Sequence, residues 1–100
     1  MLQLEISADL MVFEGHFDGC PVVPGIAQVD WALRWTASLL GMRAASQELR
    51  HLKFMRALRP GTLVVLELSL NREQVPPRLS FRYSDALGDY SQGTAIYCVA

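Results

Sequence analysis

Cysteine is scarce in this chain. The two present, Cys20 and Cys98, make neither a disulfide framework nor a zinc-ligand spacing. The expectation is a pair of reduced thiols in a cytoplasmic protein. An excess of charge of one sign is lacking too. Nine Lys and Arg against ten Asp and Glu leave a formal net charge of -1, with a pI near 6.0, which argues against a nucleic-acid partner. Met1 is followed by a strand-like alternation in place of a basic start and an apolar run, so no secretory leader is expected. The most apolar window, Val22 to Leu40, is broken by Gln28, Asp30 and Arg34. It reads as a buried helix, and no membrane span is expected. Internal repeats, low-complexity segments and linkers are also missing, and 100 residues make one small domain, 1–100.

What the chain has is apolar residues, 51% of the total. A domain this short buries only about 60–65% of its unfolded surface, so self-association is expected. Leu2, Leu4 and Ile6 alternate with Gln3, Glu5 and Ser7, the pattern of a half-buried strand. Three glycines and two prolines between Gly15 and Gly25 then predict a loop around His16. Ile26, Val29, Leu33, Ala37 and Leu40 fall at steps of three and four, one helical face, and Trp31 and Trp35 add a second apolar strip. The spacing predicts one long helix over about 25–41, started by Pro24-Gly25, stopped by Gly41 and roughly 25 Å long. Apolar around most of its girth, it should be wrapped by the rest of the fold.

Strands are expected over Leu49–Leu58, Leu63–Leu70, Leu79–Tyr83 and Tyr90–Ala100. Arg59-Pro60-Gly61-Thr62, Val75-Pro76-Pro77 and Asp85–Asp89 are the breaks. Hairpin-length connections imply antiparallel pairing. One strand, one buried helix and three or four further strands give an α+β protein, with an antiparallel sheet curled around the helix.

Chemistry concentrates at the entry to that helix. His16 sits in a loop, the helix N-terminus offers free N–H groups, and Asp30 follows among mostly apolar neighbours, where a semi-buried carboxyl is expected. The run Gly15-His16-Phe17-Asp18-Gly19-Cys20-Pro21-Val22-Val23-Pro24-Gly25, followed by Gln28 and Asp30, resembles the signature of the 3-hydroxyacyl-acyl-carrier-protein dehydratases. These are the FabA/FabZ group of hotdog-fold enzymes. Lys53-Phe54-Met55-Arg56-Ala57-Leu58-Arg59-Pro60-Gly61 is similar to the family's second motif, and Tyr97-Cys98-Val99-Ala100 to its terminus. The helix start, Pro24-Gly25-Ile26-Ala27-Gln28-Val29-Asp30-Trp31, resembles most the short ApeI-like dehydratases associated with aryl-polyene and related pathways. The absence of the family's N-terminal segment fits that subgroup. Asp18 and Cys20 stand where proline and arginine are common in the family, and Asp30 where the FabZ group has glutamate.

The resemblance implies dehydration of a 3-hydroxyacyl thioester, held on an acyl carrier protein, to the trans-2-enoyl product, with no cofactor and no metal. It implies His16 as base, the Gly25 N–H as oxyanion donor and Asp30 as acid. It also implies a dimer or an oligomer of dimers, with His16 of one chain facing Asp30 of the other. Phe17, Val22, Pro24, Gln28 and Phe54 are implied at the substrate, with the Val22 carbonyl orienting the His16 ring. The residues can do this chemistry: an imidazole with a reference pKa of about 6.5 suits proton transfer, and helix-start N–H groups favour developing negative charge. Asp30 serves as acid only if burial raises its pKa above the reference of ~3.9.

Blander readings stand beside these. Asp30 can pair with Arg34 at i, i+4, a contact worth about 0.2–0.5 kcal/mol. Gln28 reads equally as a structural hydrogen-bonder, Phe54, Trp31 and Trp35 as packing, and Cys20 and His51 as bystanders. Arg43, Arg50, Lys53, Arg56 and Arg59 form either a solvated face or a basic rim that steers an acidic carrier protein. A hotdog thioesterase and a non-catalytic partner subunit are the competing functions.

Overall fold

In a computed structural model, the structure describes residues 2–8, 23, 25–41, 46–59 and 61–98. For Ser46, Gln47 and Cys98 it describes the backbone alone. The element order is β1 (Leu2–Ser7), α1 (Gly25–Leu40), β2 (Ser46–Phe54), β3 (Leu63–Asn71), β4 (Arg78–Asp85) and β5 (Gly88–Cys98). The strands form one antiparallel sheet in the order β1-β3-β4-β5-β2. The sheet curls and lays one face on α1, as the alternation and the hairpin spacings predict.

Alternation decides which side chains meet the helix. Val64, Leu66 and Leu68 from β3, Leu79, Phe81 and Tyr83 from β4, and Ala95 and Tyr97 from β5 are buried with Ala27, Val29 and Ala32 of α1. Leu66, Leu68 and Leu79 are fully enclosed, and burying each contributes about 1.5–3 kcal/mol. Phe81 and Tyr83 meet edge to face, with ring centroids 6.3 Å apart.

The helix starts at Gly25 as expected, and Gly41 at φ 68° terminates it one residue earlier than the expected range. Its buried face is rotated from the expected one. Ala27, Gln28, Val29, Ala32 and Thr36 point inward, while Ile26 is 73% exposed. Small side chains let the helix axis approach the sheet, so the bulkier ones are displaced to the flanks and the outer side. Among the described residues the helix is covered on one side, by its own sheet.

β2 also departs from expectation. It spans Ser46–Phe54 where the pattern points to 49–58, and its register against β5 shifts between Arg50 and Lys53. His51, at φ 56°, sits in that bulge. Beyond Phe54 the chain leaves the strand because Arg56 turns aside to Asp85 and Gly88. β1 and β2 are the sheet's edges, and Leu49, Leu52 and Phe54 on β2 are exposed. No helix among the described residues is long and apolar enough to cross a membrane.

Candidate active site

The entry to α1 is tied down from several directions. The Val23 N–H donates to the Leu58 carbonyl at 2.6 Å. The Val23 carbonyl accepts from Gln28 Nε2 at 3.1 Å. Gln28 Oε1 in turn accepts from the Ser91 hydroxyl at 2.6 Å, and the Gln28 carbonyl accepts from the Tyr83 hydroxyl at 2.7 Å. All these partners are buried. Upstream, the Ala8 N–H donates to the Thr62 carbonyl at 2.8 Å. Both ends of the stretch that carries His16 are thus fastened to the residues joining β2 to β3.

Gly25 opens onto a cleft of about 520 Å³ bordered by Val23, Gln28, Phe54, Met55, Arg56 and Leu58. The Phe54 ring lies directly against Gly25: a Cβ there would come within 2.8 Å of Phe54 Cε1. Glycine is what permits that approach. The first N–H groups of a helix have no acceptor within it, so the cleft meets a donor-rich and electropositive end.

Asp30 lies slightly over one turn further along. Its carboxylate accepts from Arg34 Nε at 2.9 Å, and the two side chains are 55% and 56% exposed respectively. The sequence pointed to a semi-buried carboxyl. In the single chain Asp30 is instead on the outer face of α1, because that face is turned away from the sheet. Burial pushes the Tyr83 hydroxyl well above its ordinary pKa, and the Asp30 charge adds to this. Trp31 and Trp35 pack edge to face at 6.2 Å and line a hollow of about 190 Å³ with Arg34 and Ser38.

Gln28 borders the cleft, but both ends of its amide are committed to Val23 and Ser91, the structural pattern weighed above. Of the basic run, Arg50 pairs with Glu48 at 2.9 Å and Arg56 with Asp85 at 2.6 Å. Lys53 and Arg59 are exposed. His16, Phe17, Val22, Pro24, Arg43 and Cys20 lie outside the described residues. His51 lines a separate groove of about 340 Å³ with Glu67, Arg82 and Gln92, which shares no residue with the Gly25 cleft.

Sequence reasoning missed the group around Arg56. Asp85 accepts from the Tyr90 hydroxyl and from Arg56, and these hydrogen bonds hold its carboxyl down to about 2. The same contacts raise the pKa values of Arg56 and Tyr90. Asp85 and Arg56 are 29 residues apart, and no local pattern links them. Among the described residues no cluster of His, Cys, Asp or Glu is arranged to hold a metal.

An antiparallel sheet curled over one helix is the hotdog arrangement, and the comparisons agree on it. The family model for the ApeI-like proteins, ApeI dehydratase, matches residues 1–94, and the chain belongs to that family. It is similar to a chain of the dehydratase heterocomplex ApeI:P from Xenorhabdus doucetiae. That similarity is 32% identity and a TM-score of 0.72, over 96% of this chain and 83% of that one. An uncharacterized protein from Erwinia carotovora subsp. atroseptica superposes with a TM-score of 0.65 at 25% identity, over 98% and 81% of the two chains. A probable thioesterase from Bartonella henselae, 13% identical over 94% of this chain and 84% of that one, shares the fold at a TM-score of 0.65. Among curated proteins, a 3-hydroxyacyl-[acyl-carrier-protein] dehydratase FabZ from Erythrobacter litoralis is 29% identical over 72 residues, 62% of this chain and 47% of that protein. The chain spans about half the length of that relative.

Proposed function

We propose that the protein removes water from a 3-hydroxyacyl thioester carried on an acyl carrier protein, giving the trans-2-enoyl thioester. The pathway is of the fatty-acid or aryl-polyene type. The observation that carries the reading is the Gly25 helix start facing a cleft walled by Phe54. The FabZ relative is named for this reaction, and the heterocomplex neighbour for dehydration, which supports the substrate class.

In this reading the His16 imidazole takes the proton from the carbon next to the thioester carbonyl. Electron density moves onto the carbonyl oxygen, which accepts the Gly25 N–H. As the double bond forms, the 3-hydroxyl leaves with a proton from Asp30, and water is the second product. Asp30 must then carry a proton at the right moment. In the single chain its carboxylate is exposed and paired with Arg34, and the described residues do not supply the walls of an enclosed site around it. A second chain laid over the outer side of α1 would supply them, and the reading places His16 of that chain opposite Asp30. Support comes from exposed Ile26, Phe54 and Met55 beside the helix start, next to the free edge of β2. The second chain is a copy of this one, or a related subunit of the kind the word heterocomplex denotes for the neighbour.

In this reading Phe54, Phe17 and Pro24 are at the substrate, and the Val22 carbonyl orients His16. Carrier docking falls to Lys53, Arg59 and Arg43, since Arg50 and Arg56 already have acidic partners. The chain acts as one catalytic domain in the cytoplasm. Replacement of His16→Ala or Asp30→Asn is expected to slow dehydration a hundredfold or more, in line with general acid–base contributions of about 10²–10⁴. Turnover close to that of the unaltered protein in either variant, measured as enoyl product formed, contradicts the assignment.

A further inference from the structure

Among the described residues, the Arg56 side chain joins the β4–β5 turn to the cleft. Arg56 Nη2 donates to Asp85 Oδ1 at 2.6 Å and to the Gly88 carbonyl at 2.9 Å. Its guanidinium lies 3.8 Å from the Tyr90 ring centroid, and the Tyr90 hydroxyl donates to the second oxygen of Asp85. The Tyr90 carbonyl accepts the N–H groups of Met55 at 2.9 Å and Arg56 at 3.3 Å. The Leu87 N–H, at 2.8 Å from Asp85 Oδ1, holds the carboxylate in the turn.

These contacts grip a segment that has already left the sheet. Its other side is the wall of the cleft. Phe54 packs on Gly25, and the Leu58 carbonyl takes the Val23 N–H two residues before α1. A planar guanidinium can stack and donate at once, which an ammonium cannot do in the same geometry. Arg56 is thus held on three counts: a charge, a ring face and a backbone carbonyl.

We propose that Asp85 and Tyr90 are positioning residues for the Gly25 cleft. By holding Arg56 they fix the Phe54–Leu58 wall, and through Leu58 and Val23 they set the entry of α1. Neither residue touches substrate. The catalytic half of this inference rests on the dehydratase reading, and the structural half does not.

The test measures both halves on the intact protein with the variant Asp85→Asn. Amide hydrogen exchange at Val23, Met55 and Arg56 is expected to rise tenfold or more, with Leu66 in β3 unchanged. Dehydration kcat/KM is expected to fall tenfold or more, with Asp85→Glu restoring part of both. Tyr90→Phe keeps the ring under Arg56 and removes only the hydroxyl, so it carries the same test if Asp85→Asn does not fold. Unchanged exchange at Val23 overturns the linkage. Faster exchange with unaltered kcat/KM overturns the positioning role. A wild-type protein that releases no water defeats the dehydratase reading instead, and the exchange result then decides the linkage by itself.

Discussion

Every polar end of the Gln28 side chain is engaged inside the protein, with Ser91 on one side and the Val23 carbonyl on the other. Leaving either partner unpaired in a buried place costs about 1–3 kcal/mol, a large share of the ~5–15 kcal/mol that holds a small domain folded. Asp85 plays the matching part behind Arg56, which borders the cleft. Its carboxyl is held down to about 2 by the Tyr90 and Arg56 hydrogen bonds, against an ordinary value of ~3.9. The sign follows from the depression. The stabilisation is present above pH ~3.9 and is lost as the pH falls toward 2. A carbon-detected titration of the folded protein is expected to place the Asp85 midpoint near 2; a midpoint at the ordinary aspartate value contradicts the lock described above. None of this is visible along the chain, because Arg56 and Asp85 meet only after three strands have paired. The sequence shows Arg56 as one cation in a basic run and as part of the second motif, with no sign of its partner.

At the scale of elements, the join between helix start and sheet is the part that must be exact. Gly25 tolerates no side chain while Phe54 is in place, since an added Cβ meets the ring at 2.8 Å. Gly25→Ala is therefore expected to push Phe54 aside and lower kcat/KM about tenfold or more, while a Phe54→Leu change made with it recovers part of the loss. If Gly25→Ala alone turns over as the unaltered protein does, the wall is not where catalysis needs it. The helix limits and the hairpins were legible because periodicity and Gly/Pro punctuation are local signals. The face that α1 buries was not. Ile26, Val29 and Leu33 mark an apolar stripe, yet close packing selected the smaller Ala27, Ala32 and Thr36. The early end of β2 was likewise set by tertiary contacts of Arg56 that override strand propensity.

Across the whole molecule, apolar surface remains where a single chain would hide it if it could. Ile26, Leu49, Leu52, Phe54 and Met55 are exposed around the helix start and one sheet edge. The acid proposed for the reaction, Asp30, lies on that same uncovered side of α1. The expectation of association came from composition: a domain of 100 residues, 51% of them apolar, buries only about 60–65% of its unfolded surface. Which chain the proposed association would bring there depends on shape and is not written in any motif. The proposed dehydration requires His16, the Gly25 N–H and Asp30 to act on one substrate, and its product differs from the substrate by one water. The most direct measurement is the mass of a 3-hydroxyacyl carrier protein before and after incubation with this protein. Loss of one water from the carrier-bound acyl group is the expected result; free acid, or no change, contradicts it.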